Sequence, residues 1–111
     1  MNIPEEGYLL RVFIGESDKS GHRPLYEEIV LKAREAGLAG ATVLRGVMGF
    51  GKNSILQTAK ILRLSEDLPM IVEIVDSLEK VEAFVPTLDE MIKDGLVTIE
   101  KVRVIHYKSS R

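Results

Sequence analysis

The residues best suited to chemistry lie in one glycine-rich stretch, Gly46-Val47-Met48-Gly49-Phe50-Gly51-Lys52-Asn53. Gly46, four intervening residues, Gly51 and Lys52 match the spacing of a phosphate-binding loop, whose backbone N–H groups cradle phosphate while the lysine reaches the outer oxygens. Asn53 stands where Ser or Thr would hold magnesium. The apolar run Met70 to Val75, ending in Asp76, supplies a strand and an acid that would complete a nucleoside triphosphatase. Such enzymes use a larger, mainly parallel sheet and a firm helix directly after the lysine, which this length and pattern do not fit. A phosphate-transferring enzyme is therefore the alternative reading. A glycine-rich turn still exposes consecutive N–H groups that cup an anion, and Arg45 and Lys52 flank it as charge-assisted donors. The same stretch without a ligand is a hairpin loop with a solvated lysine.

Other candidates are weaker. Lys101, Arg103 and Lys108 make the last apolar segment basic along one side. That pattern suits an exposed strand edge protected from aggregation, or a phosphate clamp reached from a neighbouring subunit. Glu16 and Asp18 follow the first apolar segment, where a carboxylate could work on a substrate, although an acidic loop before a helix is ordinarily just solvated. His22 and His106 are the only imidazoles and lie too far apart to suggest a metal centre. No Ser, His and acid spacing stands out, so neither catalytic residues nor metal ligands are expected.

The elements that must position these residues follow from periodicity. Tyr8 to Ile14 is rich in strand formers, with Leu10, Val12 and Ile14 on one face. A turn through Glu16 to His22 leads to a helix from about Pro24, with Leu25, Ile29, Ala33 and Ala36 at helical spacing and Gly37 as its stop. Ala41 to Arg45 is a second strand, and Ser54 to Leu64 fits a ragged strand slightly better than a helix. Met70 to Val75 is the clearest strand. Asp76 and Glu79 have capping spacing for a helix striped by Leu78, Val81, Val85, Leu88 and Ile92, with Pro86 expected to kink or break it. Leu96 to Tyr107 is the last strand, with an irregularity expected near Glu100 and Lys101. The order strand, helix, strand, strand, helix, strand predicts an α+β, ferredoxin-like βαββαβ domain, with two helices on one face of an antiparallel sheet. Leu9, Phe13 and Val72 are expected on the opposite face, which two helices cannot cover, so self-association is the economical outcome.

Composition sets the outer limits. The 111 residues carry a net charge of -2, are 45% hydrophobic and include no cysteine. That suffices for one core, residues 1–111, and supplies no global field for nucleic acid. Disulfides, thiol catalysis and cysteine-based zinc sites are excluded. No run approaches the roughly 20 apolar residues that span a bilayer, and the first residues carry no export pattern, so a cytoplasmic location is expected. With 29% charged residues and amides only at Asn2, Asn53 and Gln57, the composition leans toward a heat-adapted source.

Six stretches, Leu10 to Glu16, Pro24 to Glu27, Gly37 to Gly46, Gly49-Phe50-Gly51, Leu62 to Pro69 and Glu73 to Asp76, closely resemble uncharacterised protein family 0166, also called domain of unknown function 190. The resemblance covers nearly the whole chain. That family is similar to the PII signalling proteins and their divalent-cation-tolerance relatives, ferredoxin-like subunits that assemble as trimers. In PII proteins a long mobile loop follows the second strand, and adenine nucleotides bind between subunits. The resemblance implies a mobile loop from Gly46 to about Arg63, with Arg45, Gly46 and Gly49 at its base. This sequence departs from PII proteins between the second helix and last strand, where only Lys93-Asp94-Gly95 replaces a glycine-rich, lysine-containing loop. It also has no tyrosine at the loop tip.

These readings together predict a non-enzymatic PII-like regulatory homotrimer. Its effector would be a small anion, with an adenine nucleotide as the candidate, held by Gly49, Gly51 and Lys52 of one subunit and Lys101 or Arg103 of its neighbour. The loop would report to a membrane transporter or an enzyme. A structural trimer that docks a partner without small-molecule control is the remaining alternative.

Overall fold

The computed structural model describes residues 5–51, 56–58 and 67–108. Strand β1 (Glu6–Gly15) leads through a small hairpin, β2 (Lys19–Ser20) and β3 (Arg23–Pro24), into helix α1 (Leu25–Glu35). Strand β4 (Thr42–Arg45) follows, then the short pair β5 (Met48–Gly49) and β6 (Gln57–Thr58). Strand β7 (Pro69–Asp76), helix α2 (Leu78–Met91) and strand β8 (Leu96–Arg103) complete the chain. The main sheet has the order β4-β7-β1-β8 and is antiparallel throughout. This is the expected ferredoxin-like arrangement.

Period-two alternation decides which side of the sheet is buried. Leu10, Val12 and Ile14 of β1 pair with Ile74, Val72 and Met70 of β7, and all six are buried. Leu25, Ile29 and Ala33 of α1 and Val81, Phe84 and Leu88 of α2 close over them. At the end of α1, Gly37 adopts φ +76°, a left-handed conformation that lets the Leu38 N–H bond Ala33 O at 3.1 Å and buries Leu38.

Several expectations need correction. Val72 belongs to the helix-covered face; its neighbours Ile71 and Glu73 point to the other one. Asp76 does not cap α2. Its position in β7 turns it inward, 1% exposed, where its two carboxylate oxygens accept from Ala39 N and Ser77 N. Ser77 is the cap, accepting from Lys80 N, so Glu79 is not in a capping box. The buried stripe of α2 runs through Phe84, whereas Leu78 is exposed. Pro86 does not break α2. It faces solvent, as does Glu82, so the carbonyl deprived of a partner can be hydrated. Strand β8 stops at Arg103, and its ladder with β1 is uninterrupted past Glu100 and Lys101. Residues 52–55 and 59–66, hence most of the ragged segment, lie outside the described residues; Gln57 and Thr58 are strand.

The uncovered face has a banded pattern. One row across all four strands is Leu44, Ile71, Phe13 and Leu96, and the next is Thr42, Glu73, Arg11 and Thr98. Arg11 donates to Glu73 at 2.9 Å and diagonally to Glu100 at 2.8 Å. The bond to Glu73 is the main reason the Arg11 guanidinium is held above its ordinary pKa. No helix among the described residues is long and apolar enough to cross a membrane.

Candidate functional site at the base of the loop

Strand β4 ends on Arg45, and the chain then turns over the start of β7. Gly46 N donates to Pro69 O at 2.7 Å, while on the other side Glu16 N donates to Leu68 O at 2.8 Å. Two consecutive carbonyls thus fix the backbones that carry Arg45 and Glu16. The side chains meet in a side-on pair, Arg45 Nε to Glu16 Oε2 at 3.0 Å and Nη2 to Oε1 at 3.1 Å. Such a planar fork matches any group presenting two oxygens on one centre.

Close packing against Pro69 bears on two glycines of this stretch. Positive φ among the described glycines occurs at Gly21 and Gly37, not at Gly46, Gly49 or Gly51. A Cβ at Gly49 would lie 2.8 Å from Pro69 Cγ, and one at Gly46 would lie 3.1 Å from Pro69 Cβ. At Gly49 a side chain would therefore force Pro69 to shift, and at Gly46 it would fit tightly. Gly51 has open space around it. The chain continues as a hairpin, with Met48 opposite Thr58 and Gly49 opposite Gln57, and exposes Val47, Met48, Phe50 and Leu56. Lys52 lies outside the described residues. The antiparallel sheet of four strands also differs from the parallel architecture on which a phosphate-binding-loop enzyme is built.

Lys101 and Arg103 sit elsewhere. Arg45 is in line with Met70 and Ile14, whereas Arg103 is opposite Glu6. From residue 6 to residue 14 is eight steps of β1, or about 27 Å at roughly 3.4 Å per residue. Within one chain the two groups therefore do not converge. Lys101 pairs with Glu6 and Arg103 with Glu5, the latter at 3.0 Å. The hydrogen bond to Glu6 is the main reason the Lys101 ammonium is raised from its ordinary pKa.

The acidic turn is more structured than its composition suggests. Asp18 accepts from Gly15 N and Asp67 from Ser17 N, each at 2.9 Å. The pairing of Glu16 with Arg45 has no signal in the sequence, because no local spacing links residue 16 to residue 45. The same is true of Tyr107, whose hydroxyl donates to Ala39 O at 2.6 Å. His22 and His106 are exposed, and no group of metal-ligating side chains forms among the described residues.

Comparison with known proteins agrees with this architecture. The DUF190 family profile, described as an uncharacterized ACR, matches residues 7–104. A UPF0166 protein of Aquifex aeolicus is 40% identical over 101 residues, covering 88% of this chain and 92% of the relative. A UPF0166 protein of Methanocaldococcus jannaschii is 35% identical over 97 residues, covering 86% and 89%. Among solved structures, CPII of Thiomonas intermedia K12, a nitrogen regulatory PII-like protein bound to ADP, AMP and bicarbonate, superposes with TM-score 0.62 at 17% identity, covering 89% of this chain and 88% of CPII. At that identity the likeness speaks for the fold, which is PII-like. On the profile match and the two close relatives, the chain belongs to the DUF190, or UPF0166, family.

Proposed function

We propose that this protein is a PII-like regulator rather than an enzyme. It binds a small anionic effector, an adenine nucleotide first among the candidates, at the base of the loop and reports occupancy through that loop. The observation that carries this reading is the side-on fork of Arg45 on a backbone fixed by Pro69, at the root of a hairpin with exposed apolar side chains. ADP, AMP and bicarbonate, the molecules bound to CPII, each present an oxyanion such a fork can grip. Assembly as a cytoplasmic homotrimer belongs to the same reading. The apolar row Leu44, Ile71, Phe13 and Leu96 gives self-association its driving force, and a neighbour would bring Lys101 and Arg103 to the cleft that one subunit cannot complete. Lys52, Gly49 and Gly51 would line it from the loop side. Occupancy would shift the loop only as far as the effector favours one loop state over another. The regulated partner is a membrane transporter or an enzyme.

Calorimetry with ATP, ADP, AMP and cyclic AMP tests this. Saturable binding of at least one, weakened tenfold or more by Arg45→Ala, is the expected result. No heat and no thermal shift with any of the four would refute the nucleotide reading. The exposed Val47, Met48, Phe50 and Leu56 favour a second reading, in which the loop docks a partner without small-molecule control. Partner capture that ignores added nucleotide but fails on loop deletion would select it.

A further inference from the structure

We propose that Glu16 is an internal competitor for the anion position of Arg45, so that a ligand at the loop base binds by displacing the Glu16 carboxylate. This rests on the reading of the loop base as an anion site. The carboxylate already occupies the two-point contact that an incoming oxyanion would make, through Nε and Nη2 of Arg45. Arg45 is the one cation ion-paired to Glu16 among the described residues, and Glu16 is the one acid paired to Arg45. The pair is also dispensable for the local fold. Glu16 and Gly46 are tied through their backbones to Leu68 O and Pro69 O, and the guanidinium is about half exposed. Breaking the pair therefore leaves both backbones in place and frees two side chains. Asp18 and Asp67 hold backbone N–H groups beside Glu16, so the displaced carboxylate enters an acidic surrounding and retains a tendency to return to Arg45.

Two consequences follow for ligand choice. An occupant must carry two oxygens on one centre, as a phosphoryl or carboxyl group does, because a single oxygen replaces only half of the contact. Its affinity is also lowered by the strength of the internal pair, which sets a threshold concentration for occupancy.

The test is calorimetric titration of the full chain with ADP and with inorganic pyrophosphate, comparing wild type, Glu16→Gln, Glu16→Ala and Arg45→Ala. The expected result is about two- to fivefold tighter binding in both Glu16 variants, the equivalent of one exposed ion pair, with binding lost in Arg45→Ala. If Arg45→Ala weakens binding but both Glu16 variants leave it unchanged or weaken it, Glu16 is not a competitor, and the anion reading stands without it. If neither probe binds wild type, or Arg45→Ala binds as wild type does, the loop-base reading falls and this inference falls with it. Two variants at residue 16 protect the conclusion if one does not fold.

Discussion

Replacing Asp76 by alanine tests how this chain closes the end of its sheet opposite the loop. The side chain is 1% exposed and accepts two backbone hydrogen bonds, from Ala39 N at 2.9 Å and Ser77 N at 2.7 Å. One joins the connection after α1 to the end of β7, and the other fixes the residue that caps α2. A hydrogen bond to a charged group contributes about 1.5–3 kcal/mol, and a buried donor left without an acceptor costs about 1–3 kcal/mol. Both donors are only partly buried, so water relieves part of that cost. The expected loss for Asp76→Ala is about 2–4 kcal/mol. At roughly 4 °C per kcal/mol for a chain of this length, the melting temperature falls by about 8–16 °C. Asp76→Asn keeps one acceptor oxygen and turns an NH2 group toward a backbone N–H, so it loses about half as much. Urea unfolding at fixed protein concentration, with unchanged denaturant dependence, measures both. A loss below about 1 kcal/mol for Asp76→Ala would refute the view that this carboxylate holds the two segments together.

Three further substitutions bear on the loop and the open face. Gly49→Val forces a branched side chain where a Cβ alone would lie 2.8 Å from Pro69, and should destabilise by about 1–3 kcal/mol and speed amide exchange at Gly46. Gly51→Ala, with open space around it, should change stability by less than about 0.5 kcal/mol; equal effects at the two positions would overturn the packing explanation. Arg11→Met leaves Glu73 and Glu100 facing each other across β1 and should weaken the proposed self-association at least about tenfold in sedimentation experiments. Unchanged association would place the interface elsewhere.

The fold was legible because its signals are local and periodic. Leu10, Val12 and Ile14 announce a buried strand face, and Gly37 announces a helix stop, each within a few residues. The expectations for Asp76 and Val72 fail for one reason: the roles of these positions depend on distant chain. Asp76 has the spacing of a cap, yet the connection through Ala39 lies over it and draws the carboxylate inward, moving the cap to Ser77. Val72 differs from Ile71 only by parity, and parity is settled by register with β1. Gly49 shows the same dependence, because sequence spacing cannot distinguish a glycine that must pass close to a proline from one chosen for its dihedral angles.

The charges follow the same logic. A chain with net charge -2 attracts no anion by its overall field, so any anion site must come from local geometry. Yet each described cation at the predicted site is already matched to an acid: Arg45 to Glu16, Lys101 to Glu6 and Arg103 to Glu5. These pairs are exposed and worth little to stability, so the fold does not depend on them. They do keep these three cations paired in the single chain and make each available only to a stronger competitor. Because Arg45 and Arg103 lie about 27 Å apart along the sheet, no single ligand of nucleotide size can engage both within one subunit. A ligand that recruited both would thus have to bind across a subunit boundary, and its affinity would report assembly as well as its own concentration.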